Sequence, residues 1–213
     1  PSNFWKNFNL GQELSVAGGF IYNGLRQFHE MRSLNVVEEA FGFLYELSVG
    51  FERLLKVVVV LLEHNAASDQ MAFEESLKSH EHLELLARVR RHEPLSLGDN
   101  HVALLGLLSD FYRTIRYDRF SLTSAYDPKK EIKAIRAFIE DGLNVEIPDN
   151  GEFIAVPNED RYRRYVERTI RKICGCLYQT IERRARALNL YTYELRHGSK
   201  AESAFLREVK VFD

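Results

Sequence analysis

Hydrophobic residues recur every three or four positions along most of the chain, which is the spacing of one face of an α-helix. This pattern predicts helices over residues 4–34, 36–64, 80–91, 99–117, 128–142 and 159–190. Gly18 and Gly19 predict an interruption in the first helix, because glycine is a poor helix former. Polar residues before four of these helices are candidate caps, namely Asn35 with Glu38, Ser79, Asp127 before Pro128 and Asn158, and Ser199 is the candidate cap of a short final helix.

One stretch has the character of β-strands. Residues 145–147 and 152–156 flank Pro148-Asp149-Asn150-Gly151, and Asn-Gly is typical of a hairpin turn. The fold class is therefore mainly α: an antiparallel helical bundle with a small β-hairpin and a long C-terminal helix. We expect a bundle over 1–142, a hairpin linker over 143–158, and a long basic helix with a short C-terminal helix over 159–213, which pack on the bundle.

The central predicted helix has two unlike halves. Residues 57–62 are all apolar, as in a helix that neighbours cover on every side. Glu52, Arg53 and Lys56 fall within about one turn of each other in the first half. Two interpretations are open: these charges form one wall of a polar site, or they reach solvent, where most charged residues lie.

Composition restricts the classes of function. The formal net charge is −2, so any attraction to nucleic acid has to be local. The longest apolar run, residues 57–62, is far shorter than the ~20 residues of a membrane-spanning helix, so no membrane partner is expected. Cys174 and Cys176 point about 200° apart on a helix, which favours unpaired thiols and a cytoplasmic location. No phosphate-binding loop, nucleophile elbow or zinc spacing is present, so neither a cofactor nor a metal is expected.

The segment 110–120, DFYRTIRYDRF, concentrates arginine and tyrosine at the end of a predicted helix. Arg113 and Arg116 share a face, and Arg119 follows. Cations at a helix C-terminus are favoured by the helix dipole, which is a sufficient structural explanation. The functional alternative is an anion or RNA phosphate site, in which Tyr112 and Tyr117 stack on a base. We also expect Glu52 to face Arg113 or Arg116.

The last long helix is strongly basic. Residues 161–186 contain nine lysines and arginines but only two glutamates. Arg161, Arg164, Arg168 and Arg171 form a stripe opposite the apolar face. This stripe is either a solvated face matched by acidic residues of the same chain, or a surface that binds nucleic acid.

Three motifs together resemble the HEPN domain (higher eukaryotes and prokaryotes nucleotide-binding). They are GFERLLK at 50–56, SHEHLELL at 79–86 and FYRTIRYDRF at 111–120, and the resemblance covers residues 12–120. It implies an antiparallel bundle of four to five helices, commonly dimeric and often part of defence or toxin–antitoxin systems. Many members are metal-independent ribonucleases.

The family's active site pairs an arginine with a histidine that has four to six residues between it and the arginine, and this chain lacks that histidine. At that spacing the candidate positions after Arg113 are Asp118, Arg119 and Phe120, and those after Arg116 are Ser121, Leu122 and Thr123. None of these six is a histidine. Arginine stays charged and only binds or stabilises, whereas histidine exchanges protons near neutral pH.

Three functional hypotheses follow. The first is a catalytically degenerate HEPN-like protein that binds RNA or a nucleotide, as a homodimer or with a partner protein. The second is an active metal-independent ribonuclease that uses Arg113, Arg116 and Asp118. The third is a structural interaction subunit whose basic helix docks on an acidic protein.

Overall fold

The computed structural model describes residues 6–65, 67–118, 120–122, 129–148, 155–190 and 205. A π-helical turn, Lys6–Leu10, leads into the first helix. The helices are α1 (Gly11–Glu30), α2 (Val37–Glu63), α3 (Gln70–Ser76), α4 (His82–His92), α5 (Asp99–Asp110), α6 (Lys130–Leu143) and α7 (Asp160–Ala187). The helix α5 continues through a π-helical turn, Phe111–Ile115, and one further turn, Arg116–Asp118. The prediction of a mainly helical chain is confirmed.

The helix α2 lies at the centre of the core. Residues 57–61 are all buried, so the prediction for its second half is confirmed. The helices α1 and α2 run antiparallel, because Phe28 packs on Phe43 at one end and Ile21 lies against Gly50 nearer the other. A Cβ on Gly50 would lie 2.6 Å from the Ile21 side chain, so glycine is required for this close approach. The helix α7 also contacts α2, and both contribute to one hydrophobic core.

Several helix boundaries differ from the predictions. The helix α1 runs without a break through Gly18 and Gly19, because its buried face continues on both sides of them. It ends at Glu30, before the predicted residue 34. The short helix α3 was not predicted; Asp69 caps it by accepting a hydrogen bond from the Ala72 amide. The helix α6 continues through Gly142, and Asn144 takes the left-handed conformation that ends it.

Two predicted caps have other roles. Asn35 accepts a hydrogen bond from Arg136, and α2 begins without a side-chain cap. Asn158 is buried and donates its Nδ2 hydrogens to the carbonyls of Phe28 and Met31, at 2.9 and 3.1 Å. Asn158 therefore satisfies carbonyl groups at the end of α1. The predicted caps Asp127 and Ser199 lie outside the described residues.

The predicted β-hairpin is not found in the residues that the structure describes. Residues 145–148 form no strand, while 149–154 lie outside the described ranges. Val156 instead accepts a hydrogen bond from the Leu34 amide, and the Asn158 amide donates to the Arg32 carbonyl. This short antiparallel bridge joins the loop after α1 to the segment before α7. The division into a bundle, a linker and a C-terminal part stays a prediction.

Candidate functional site

A polar cluster lies where α2, the start of α4 and the end of α5 meet. Glu52 on α2 is only 8% exposed, and its carboxylate accepts two hydrogen bonds. Lys56, one turn later, donates to Oε1 at 2.6 Å, and His80 contacts Oε2 through Nδ1 at 3.0 Å. Burial favours the neutral acid, but these two partners outweigh it and hold the pKa of Glu52 below its ordinary value. Glu52 is therefore a buried carboxylate with both oxygens satisfied.

His80 is held at the edge of this cluster by the turn before α4. The Ser79 hydroxyl accepts a hydrogen bond from the Glu81 amide at 3.2 Å, which orders the residues on either side of His80. The His80 side chain is 53% exposed. Because a carboxylate only accepts, Nδ1 carries the hydrogen, and Nε2 of the neutral ring then carries a lone pair. An imidazole oriented in this way is suited to proton transfer.

His82, two residues later, points into the core instead. Its Nε2 donates to the Ser48 carbonyl at 2.8 Å and joins α4 to α2. Burial lowers the pKa of His82, although this hydrogen bond partly opposes the effect. The side chains of His80 and His82 therefore point to different parts of the structure. His82 belongs to the packing of the bundle, and His80 belongs to the polar cluster.

The π-helical turn after α5 brings arginine and tyrosine side chains to the other side of His80. The Tyr112 ring lies 5.4 Å from the His80 ring, and the Arg116 guanidinium lies 3.5 Å from the Tyr112 ring centre. The same guanidinium is 4.4 Å from the ring centre of Tyr117, which is 55% exposed. Arg113 pairs with Glu81 at 2.9 Å. π-Helical turns often mark functional sites, since they re-aim side chains within a helix.

The predicted contact between Glu52 and Arg113 or Arg116 is wrong. Lys56 and His80 occupy the carboxylate, and the two arginines contact Glu81 and the tyrosines. Glu52 nevertheless lies near the arginine–tyrosine segment, because His80 contacts both Glu52 and Tyr112. We call Glu52, Lys56, His80, Tyr112 and Arg116 the His80 cluster.

Two other predicted site residues lie outside this cluster, and a third is not described. Arg53 leaves the cluster and pairs with Glu13 of α1 at 2.5 Å. Asp118 forms an ion pair with Lys130 at the start of α6, so its carboxylate is already engaged. Arg119 lies outside the described residues. Asp118 is therefore a poorer candidate for chemistry than His80.

Acidic neighbours neutralise part of the basic stripe on α7. Arg161 pairs with Glu159 and Arg171 with Glu167, each at 2.7 Å. Arg164 and Arg168 are exposed, and neither forms an ion pair with another described residue; Arg168 donates a hydrogen bond to the Arg164 carbonyl at 3.3 Å. Intramolecular pairing thus accounts for two of the four stripe residues. The other two leave a small positive patch.

His80 is the site residue that the sequence prediction missed. A signal was available, because a largely buried glutamate needs partners and Lys56 supplies only one. Sequence spacing does not show that the second partner lies 28 residues away.

Among the described residues, no group of three or more histidine, cysteine or acidic side chains is arranged to hold a metal ion. No described helix is both long and apolar enough to span a membrane. Comparisons with protein-family models, curated proteins and solved structures find no match to this chain.

Proposed function

We propose that this chain is a HEPN-like protein that binds single-stranded RNA or a nucleotide at the His80 cluster. The observation that carries the proposal is the Arg116 guanidinium over the Tyr112 ring, beside a half-exposed histidine. Tyrosine faces stack on bases of any sequence, and guanidinium groups bind phosphate oxygens. The Nε of Arg116 has no hydrogen-bond partner among the described residues, so a phosphate oxygen is a suitable acceptor for it.

Fluorescence anisotropy with a labelled single-stranded RNA tests this proposal. Arg116→Ala is expected to cost about 1–3 kcal/mol of binding free energy, which is roughly 5- to 150-fold in Kd. Arg116→Lys keeps the charge but loses the planar group, so most of this loss should remain. Arg26→Ala, an exposed arginine on α1, removes the same charge away from the cluster and serves as the control.

Equal weakening by Arg26→Ala and Arg116→Ala would reduce the effect to general charge and would contradict the proposal. Binding of the unaltered protein should also weaken steeply with salt, because phosphate contacts release counterions. An absence of RNA and nucleotide binding would favour the structural interaction subunit instead.

The Glu52–His80 contact favours a second candidate, an active ribonuclease in which His80 supplies the missing imidazole. His80 Nε2 would take the proton from a ribose 2′-hydroxyl as its oxygen attacks the adjacent phosphorus. The bond from phosphorus to the 5′-oxygen then breaks, the leaving oxygen takes a proton from solvent, and a 2′,3′-cyclic phosphate remains. Arg116 would stabilise the phosphate charge.

Cleavage of a labelled RNA in the presence of a chelator tests this second candidate. His80→Ala should abolish cleavage while RNA binding persists, and Glu52→Gln should reduce the rate and shift its pH profile. Asp118→Asn is the matched control, because the sequence analysis gave Asp118 as a catalytic candidate and its carboxylate is paired with Lys130. Cleavage that survives His80→Ala but not Asp118→Asn would restore that earlier assignment.

A further inference from the structure

Tyr45, on α2, lies beside the His80 cluster, although neither the predicted sites nor the proposed function gives it a role. Its ring centre is 6.4 Å from that of Tyr112. Its ring is also nearly parallel to the Phe41 ring, at 8° and with 6.3 Å between the ring centres. Phe41 in turn packs at 73° against Phe111, which is fully buried. Ring contacts therefore fix Tyr45 to the core, while 39% of the residue stays exposed.

One face of the Tyr112 ring is already covered. The Arg116 guanidinium lies over it, 3.5 Å from the ring centre, and the His80 ring is 5.4 Å away. A base stacks on an open ring face, so it needs a more accessible tyrosine. Tyr45 and Tyr117 meet this need, because they are 39% and 55% exposed.

Arg116 lies between these two exposed tyrosines in the series of contacts. Its guanidinium is 4.4 Å from the Tyr117 ring centre, and Tyr112 contacts both Arg116 and Tyr45. The series therefore presents an exposed ring, a guanidinium and a second exposed ring, in that order. Tyrosine rings stack on bases, and a guanidinium binds phosphate oxygens.

This order matches one step of an RNA strand, in which a phosphate joins two nucleosides. The two bases have to be unpaired, because a base inside a duplex is stacked between its neighbours and cannot turn onto a protein ring. A mononucleotide has one base and uses only one of the two rings. The arrangement thus favours a strand over a free nucleotide.

We propose that Tyr45 and the His80 cluster together bind two consecutive unpaired nucleotides of RNA. One base stacks on Tyr45, the connecting phosphate binds Arg116, and the next base stacks on Tyr117. This inference rests on the proposed function and narrows its ligand to an RNA strand of at least two nucleotides. Stacking tolerates any base, so affinity should depend on the number of nucleotides more than on their sequence.

Competition against a labelled hexauridylate, followed by fluorescence anisotropy, tests the proposal with two unlabelled competitors. The dinucleotide pUpU has both bases. Uridine 3′,5′-bisphosphate, pUp, has the second phosphate but no second base. The second base should make pUpU bind roughly 5- to 150-fold more tightly than pUp. Equal affinities for the two competitors would overturn the proposal.

The variant Tyr45→Ala should remove most of the advantage of pUpU over pUp. Its affinity for pUp should be nearly unchanged, because a single base still stacks on Tyr117. Tyr45→Phe keeps the ring and should keep the advantage. Tyr22→Ala is the control, since Tyr22 is 36% exposed and lies on α1, which contributes no residue to the His80 cluster. Circular dichroism checks that each variant folds.

Equal weakening of pUp and pUpU by Tyr45→Ala would indicate a structural effect and overturn the proposal. Unchanged binding of both competitors would overturn it too. In either case a loss of hexauridylate binding in Arg116→Ala would leave the proposed function standing. If the unaltered protein does not bind hexauridylate, the proposed function fails and this inference fails with it, so the two failures are distinguishable.

Discussion

The two halves of α2 are both buried, but only the first half buries polar side chains. The second half buries five consecutive apolar residues, 57–61, so every side of the helix is covered by neighbours. The first half buries Ser48 and Glu52, whose polar atoms are matched by specific partners on α2, α5 and the segment before α4. The comparison separates two kinds of burial. Apolar burial depends on area and packing, whereas polar burial depends on a few directed contacts.

This difference explains why the candidate site is at one end of α2. A wholly apolar segment offers no group that binds or exchanges a proton. Glu52 is kept ionised by Lys56 and His80, and it holds the imidazole at the surface. Tyr112 and Arg116 reach the same place from a different helix. The core therefore positions the site, but the polar half of α2 supplies its chemistry.

The largest effect on stability is expected in the apolar half of α2. Leu61→Ala removes a side chain that is 3% exposed and leaves a cavity. We expect a loss of about 2–5 kcal/mol in the free energy of unfolding, measured by urea denaturation. Met71→Ala is the control, because this side chain is 82% exposed and should change stability little. A loss below about 1 kcal/mol for Leu61→Ala would mean that the core rearranges to fill the cavity.

A smaller effect is expected in the polar half. Lys56→Met keeps the aliphatic stem but leaves the Glu52 carboxylate with the hydrogen bond to His80 and without its ion pair to Lys56. The loss of one hydrogen bond to a charged group predicts about 1–3 kcal/mol less stability at neutral pH. The double variant Lys56→Met/Glu52→Gln should recover part of this loss, because no carboxylate is then left without its partner. Additive losses in the double variant would contradict the coupling of the two residues.

The smallest effect is a change in how stability depends on pH. The pKa of His82 is below its ordinary value of 6.5, so the unfolded chain takes up this proton first. Stability should therefore fall as the pH drops below about 6.5, until His82 is protonated in the folded protein too. The pKa of Glu52 is below its ordinary 4.5, so its contribution is complete above about pH 4.5. That contribution is lost as the pH falls through the lowered value.

Urea denaturation at several pH values distinguishes the two groups. His82→Gln should remove the loss that begins near pH 6.5, and Glu52→Gln should remove the loss that begins near pH 4.5. If His82→Gln leaves the pH profile unchanged, His82 does not contribute to the pH dependence in the way that its burial predicts.

The helices themselves were largely predictable from the sequence. The bounds of α2 differ by one residue at each end from the prediction, and α7 begins within one residue of it. The caps were harder to predict, because a cap depends on which partner reaches it. Asn158 and Asn35 have ordinary capping chemistry, but longer-range contacts with α1 and with Arg136 use their side chains. A polar residue near a helix end is thus a weaker indicator than hydrophobic periodicity.

The residues of the candidate site also fall into two groups, those that the sequence identified and those that only the structure shows. The sequence pointed to Tyr112, Arg116, Glu52 and Lys56 because arginine–tyrosine segments and charges within a core helix are visible as patterns. It did not point to His80, whose importance arises from a contact with Glu52. It also did not point to Tyr45, since the contact of its ring with Tyr112 joins two segments that are distant in the sequence.

The sequence by itself determined that this protein is helical, where its long helices lie, and that residues 57–61 belong to the core. Those properties follow from local periodicity and from the apolar area that each segment must bury. Only the tertiary structure decided that Glu52 contacts Lys56 and His80 instead of the arginines, and that the Tyr45 ring lies beside Tyr112. These pairings depend on the distance and orientation between helices, which side-chain packing over the whole chain sets.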